Sequence, residues 1–92
     1  MTSLSDAQSS MQFAQGFVFK NNICNNSGLR TIDASDGIVS GNSFINNYVR
    51  IGKGCSDISF IDNIMTSDTY CFREDRDDAI NIVKINNICD VE

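Results

Sequence analysis

One short pattern limits what this chain can fold into more than any other feature. An Asn or Asp, a polar residue and then Ile or Phe recur four times. The triplets are Asn21-Asn22-Ile23, Asn42-Ser43-Phe44, Asp62-Asn63-Ile64 and Asn86-Asn87-Ile88, with first residues 21, 20 and 24 positions apart. They lie in segments 17–26, 38–47, 58–65 and 82–89, where apolar and polar residues alternate. Alternation with period two marks half-buried strands. A repeat in the low twenties is too short for helical repeats of about 33 residues or more and suits a coil of strands. If each period is one coil, equivalent Asn residues stack about 4.8 Å apart and can bond through their amides as a ladder. Asn also tolerates the left-handed backbone that a tight corner requires. Ile23, Phe44, Ile64 and Ile88 are then expected to form an inward apolar column. Asn is therefore expected at coil corners, which accounts for 11 Asn and 12 Ile among 92 residues.

Over 17–90 this pattern resembles the right-handed parallel β-helix of the pectate-lyase-like superfamily, which includes phage tailspikes and polysaccharide-degrading enzymes. The run G-I-V-S-G-N-S-F-I-N-N at 37–47 looks like one coil of that family. The expected fold is all-β, a short right-handed solenoid of about four coils, with the hand following from the rule for parallel crossovers. The resemblance implies a carbohydrate-engaging module that binds, and in its enzymes cleaves, a bacterial surface polysaccharide. It does not carry catalytic residues across. The family's His- and Trp-containing run and its Arg- and Pro-containing run have no counterpart, because the chain holds no His, Trp or Pro. Whether the chain is an enzyme is left open at this point.

The two ends read differently. Residues 1–16 are expected to be a capping helix on a β-helix spanning 17–92. Ser3 is the candidate N-cap with Asp6 as its capping-box partner, Leu4, Ala7, Met11 and Ala14 fall on one helical face, and Gly16 follows as the C′ residue. No such device is legible after the last strand, around Cys89-Asp90-Val91. An open solenoid end exposes unpaired strand edges. The chain is thus expected to be a homo-oligomer, a trimer in preference to an end-to-end dimer, or a piece of a longer β-helix.

Composition removes several classes. Seven Lys+Arg against 12 Asp+Glu give a net charge of −5, and scattered bases on an acidic chain argue against nucleic acid as partner. Without His there is no His-based triad and no His–zinc site. No apolar run approaches the roughly 18 residues of a membrane span. No basic stretch precedes an apolar one at the N-terminus, so synthesis in the cytoplasm is expected, with later packaging in a virion compatible with it. The four cysteines, Cys24, Cys55, Cys71 and Cys89, form no CxxC pair and are read as free, small core residues.

Two loops interrupt the regular coil. Around Gly52-Lys53-Gly54 a phosphate-binding reading lacks the GxxxxGK[ST] spacing, and a Gly-supported corner is the better reading. Between 67 and 78 lie five acids, Asp68, Glu74, Asp75, Asp77 and Asp78, with Tyr70, Arg73 and Arg76 among them. Glycoside hydrolysis needs paired carboxylates, so the catalytic candidates are Asp75, Asp77 and Asp78 with Arg73. The competing reading of that charge run is a solvated loop. Tyr48, Arg50, Lys53, Asp57 and Tyr70 are the candidate sugar-binding residues. Asp33, Asp36 and Asp57 also read as turn residues. No cofactor is expected. A loose calcium site at Asp75, Asp77 and Asp78 is compatible with the spacing, although the Gly and distal Glu of an EF-hand are missing. The expected partner is a polysaccharide. The alternatives are a protein target, as for a virus-encoded inhibitor, and a purely structural fibre segment.

Overall fold

The computed structural model describes residues 2–5, 9–12, 15–26, 28–74 and 79–91. Its strands follow one another in threes. The first three are β1 (Thr2–Ser5), β2 (Ser9–Gln12) and β3 (Val18–Lys20). Next come β4 (Asn22–Asn25), β5 (Leu29–Ile32) and β6 (Ser35–Ser40), then β7 (Ser43–Ile45), β8 (Val49–Ile51) and β9 (Ser56–Ile61). The last group is β10 (Ile64–Ser67), β11 (Phe72–Glu74) and β12 (Ile80–Ile85), followed by β13 (Ile88–Val91). Three all-parallel sheets result, ordered β1-β4-β7-β10-β13, β2-β5-β8-β11 and β3-β6-β9-β12. This is a parallel β-solenoid, as the repeat predicts. About three turns, β4 to β12, carry its core, close to the expected four.

The corner between the third and first sheets shows why Asn recurs. Asn21, Gly41, Asp62 and Asn86 all take positive φ, between 54° and 65°. Asn, Asp and Gly are the residues that enter this region at least cost. Each is followed by a ladder residue: Asn22, Asn42, Asn63 or Asn87. The Asn42 Oδ1 accepts from the backbone N–H of Asn22 at 2.9 Å and from its Nδ2 at 3.1 Å. Asn42 Nδ2 donates to Phe19 O at 2.9 Å and to Asn63 Oδ1 at 3.0 Å. Asn63 repeats the arrangement, donating to Val39 O and to Asn87 Oδ1. Asn42 and Asn63 are buried, and their amides are satisfied by one another and by the backbone, which makes their burial tolerable.

The ladder sets a register one residue away from the expected column. Gly41-Asn42-Ser43, not Asn42-Ser43-Phe44, matches Asn21-Asn22-Ile23. The inward row on the first sheet is Cys24–Phe44–Met65–Cys89. Of the expected column only Phe44 points inward. Ile23 pairs with Ser43, and Ile64 with Ile88, on the outer face, where Ile64 is 49% and Ile88 60% exposed. Because strand side chains alternate, a slip of one residue exchanges the two faces. The remaining core is built in the same way. Val39 and Phe60 stack in register behind Phe19, and Leu29 and Val49 stack in register in the second sheet. The Phe19 and Phe44 rings lie parallel with centroids 6.3 Å apart.

The ends depart from expectation. Within residues 1–16, the described stretches 2–5 and 9–12 are strands, not a capping helix. β1 pairs with β4 and β2 with β5 in parallel register. A helix of about a dozen residues is marginal alone, whereas the sheet ladder offers each of these strands a preformed partner. Gln15 forms a parallel bridge with Ser35 and Gly16 takes φ 68°, while residues 1, 6–8, 13 and 14 lie outside the described residues.

In the last turn two inward positions carry charge. Lys84 occupies the inward position of Phe60, and Glu74 that of Ile51. Their side chains meet at 3.8 Å, and the Lys84 ammonium lies 4.8 Å from the centre of the Phe72 ring. Inward-placed charges are one of the ways proteins protect a sheet end. Cys71 and Cys89 are joined as a disulfide, with Cα atoms 5.9 Å apart, which corrects the reading of four thiols, and only Cys24 and Cys55, both buried, are outside a disulfide.

Candidate binding face

The second sheet and the corner leading into it bring together four of the nine residues singled out in the sequence, Tyr48, Arg50, Tyr70 and Arg73. Its strands are short, and Leu29, Thr31, Val49 and Ile51 turn inward with no exposed surface. Alternation leaves Arg30 and Arg50 pointing out. In register, Arg30 pairs with Arg50 and Arg50 with Arg73. Bases scattered along the chain thus become a file of three guanidinium groups, one per turn and about 4.8 Å apart at the backbone. The Nε of Arg30 is buried without a hydrogen-bond partner among the described residues. A hydrogen-bond acceptor beside Arg30 would relieve that cost. Arg30 was not singled out beforehand, although it precedes Arg50 by the same period that governs the Asn ladder.

Beside this file stands an aromatic pair. Tyr48 and Tyr70, in the corners that lead into β8 and β11, meet edge to face with centroids 4.8 Å apart. The corner is stiffened by Asn47, whose Oδ1 accepts the Tyr48 backbone N–H at 2.9 Å, and by the Val49 N–H bonded to Cys71 O at 2.7 Å. Asn46, Thr66, Ser67 and Asp68 of the same corner line a cavity of about 220 Å³. The Asn46 backbone N–H donates to Thr66 Oγ1 at 3.2 Å, while Ser67 Oγ accepts from the Thr69 N–H at 3.2 Å. The cavity thus offers hydroxyl, amide and carboxylate groups at the corner that also carries the two tyrosines, a combination suited to a polyhydroxylated ligand.

Not every candidate joins this face. Lys53 is exposed at the opposite corner of the sheet, where its carbonyl accepts the Asp33 N–H at 2.8 Å. Asp57 belongs to the third sheet, at φ 55°, and accepts from Asn81 Nδ2 at 2.7 Å. Asp33 and Asp36 also take positive φ, Asp33 in the corner before β6 and Asp36 within β6, where its carboxylate accepts from Gln15 Nε2. Asp75, Asp77 and Asp78 lie outside the described residues and follow directly after β11. Among the described residues there is no cluster of three or more His, Cys, Asp or Glu able to hold a metal ion, and no helix long and apolar enough to cross a membrane.

Comparison with protein-family models, with curated proteins and with solved structures gives no match. The pectate-lyase-like and tailspike resemblance therefore has no relative behind it. The β-solenoid stands on the repeat and on its sheet register.

Proposed function

We propose that the protein is a carbohydrate-engaging solenoid module that holds an acidic polysaccharide along its second sheet. The observation that carries this reading is the in-register file Arg30–Arg50–Arg73 beside the Tyr48–Tyr70 pair. Guanidinium groups recognise carboxylate or sulfate through paired N–H donors, and the tyrosine rings offer apolar faces to pyranose rings. Lys53 extends the positive charge at the far corner. Cleavage, where it occurs, is assigned to Asp75, Asp77 and Asp78 with Arg73.

The test is calorimetric titration with a polyuronate, a neutral glucan and a single-stranded oligonucleotide. Binding to the polyuronate alone is expected. Arg50→Ala and Arg73→Ala should each weaken it about tenfold, and added salt should weaken it further. Equal binding of the neutral glucan, preference for the oligonucleotide, or indifference to both substitutions would overturn the reading. Reducing-end assays with Asp77→Ala then separate turnover from binding.

A second reading, a module that docks on a protein or on copies of itself, is favoured by apolar side chains on the other two sheets. Val18 is 63% exposed, Ile38 46% and Ile64 49%. Light scattering on a sizing column decides it. A trimer supports self-association, and a clean monomer removes it and leaves docking on a different protein.

A further inference from the structure

We infer that the Cys71–Cys89 disulfide is a redox latch that holds β13 against the solenoid. Cys89 continues the inward row Cys24–Phe44–Met65, yet it is exposed, as are Ile88, Asp90 and Val91. β13 therefore buries almost no side chain of its own. It is held by its parallel ladder to β10, by the Ile88 N–H bonded to Asn63 O at 2.8 Å, and by the bond to Cys71. Strands with few buried contacts open at low free energy. β12 differs in this respect. It pairs with β9 over a longer register, and its Ile82 packs on the core. The disulfide thus reaches from the buried Cys71, at the corner entering β11, to a strand whose side chains are all exposed.

The two sulfurs differ in access. Cys71 is 3% exposed, whereas Cys89 is open, so an incoming thiolate attacks at Cys89. The S–S bond breaks, Cys71 leaves as a thiolate and takes a proton, and a mixed disulfide remains on Cys89. A second thiol of the reductant displaces Cys89, which is protonated in turn. Two electrons and two protons enter the protein, giving two thiols, and the thiol reductant leaves as its own disulfide. Once released, β13 frays. The edge of β10 then becomes open to an added strand, and Met65, fully buried in the closed form, is exposed.

Hydrogen exchange read by mass spectrometry tests this on the intact chain, oxidised and after dithiothreitol, with peptide mapping to verify the state of the bond. A Cys71→Ser/Cys89→Ser double variant repeats it without reductant. β13 amides should exchange at least about tenfold faster when the bond is absent, with β5 and β8 unchanged. Unchanged protection of β13 overturns the latch. So does loss of protection throughout the solenoid, since the bond would then be a staple for the whole fold. Failure to find the bond in the air-oxidised protein overturns it as well.

Discussion

The middle turns and the last turn share one backbone register and fill part of it differently, for Phe72 and Ile82 stay apolar at the inward positions of Val49 and Ile58 while other positions change. In the turns from β4 to β9 the inward positions hold Leu29, Val39, Phe44, Ile51 and Phe60, all with no exposed surface. One turn later, the position after Phe60 is Lys84, the position after Ile51 is Glu74, and Met65 is followed by Cys89. In a solenoid an inward residue is buried only if another turn covers it. Where cover runs out, an apolar side chain would be a liability, and a charge or a crosslink serves better. The address of a side chain in the repeat sets its direction. Its neighbours along the axis set which chemistry that direction favours.

The sharpest way to break this comparison is to treat both regions alike. Phe44→Ala should cost about 4 kcal/mol by cavity formation, a large share of the stability of so small a domain, whereas Ile64→Ser on the outer face should change it by less than about 0.5 kcal/mol. Similar shifts in the denaturation midpoint would remove the assignment of faces. A smaller contrast lies in the ladder. Asn42→Ala strips hydrogen-bond partners from both adjacent turns and should cost about 2–3 kcal/mol, and Asn87→Ala, half-buried in the last turn, about 1 kcal/mol. Equal losses in urea titration would mean that the ladder is uniform and cover does not matter. The smallest effect is expected from Lys84→Met. The exposed pair with Glu74 is worth under about 1 kcal/mol, so stability should barely move. Self-association seen by light scattering should rise, because the inward charge is gone.

The same contrast explains how much was legible beforehand. The solenoid was readable because one corner needs a left-handed residue and an amide ladder in every turn, and both needs select Asn. The register was not, because the doubled Asn21-Asn22 and Asn86-Asn87 hide which Asn does which task, and Gly41 takes the corner in one turn only. With period-two strands that ambiguity costs a whole face, and Ile23, Ile64 and Ile88 went to the wrong one. Leu4, Ala7, Met11 and Ala14 satisfy a helical period, but the partners that decide the matter, β4 and β5, lie about 20 residues further on. Of the binding face, Tyr48, Arg50, Tyr70 and Arg73 could be named from residue type alone. Their convergence, and the membership of Arg30, follow only from counting in turns. The pairing of Cys71 with Cys89 had no linear signal, since one lies in a corner and the other on a strand.

The Asn ladder has a consequence for how such a molecule can grow. Each amide offers an acceptor to the turn before and a donor to the turn after, so every rung is the same joint. Residues 42–62 run from one rung to the corner before the next, and they form a cassette whose two ends are interchangeable. Copying that cassette in tandem lengthens the rod by one turn and extends the guanidinium file by one Arg. Length and the number of outward guanidinium groups are thereby tied to a single stretch of coding sequence, and both become a matter of copy number.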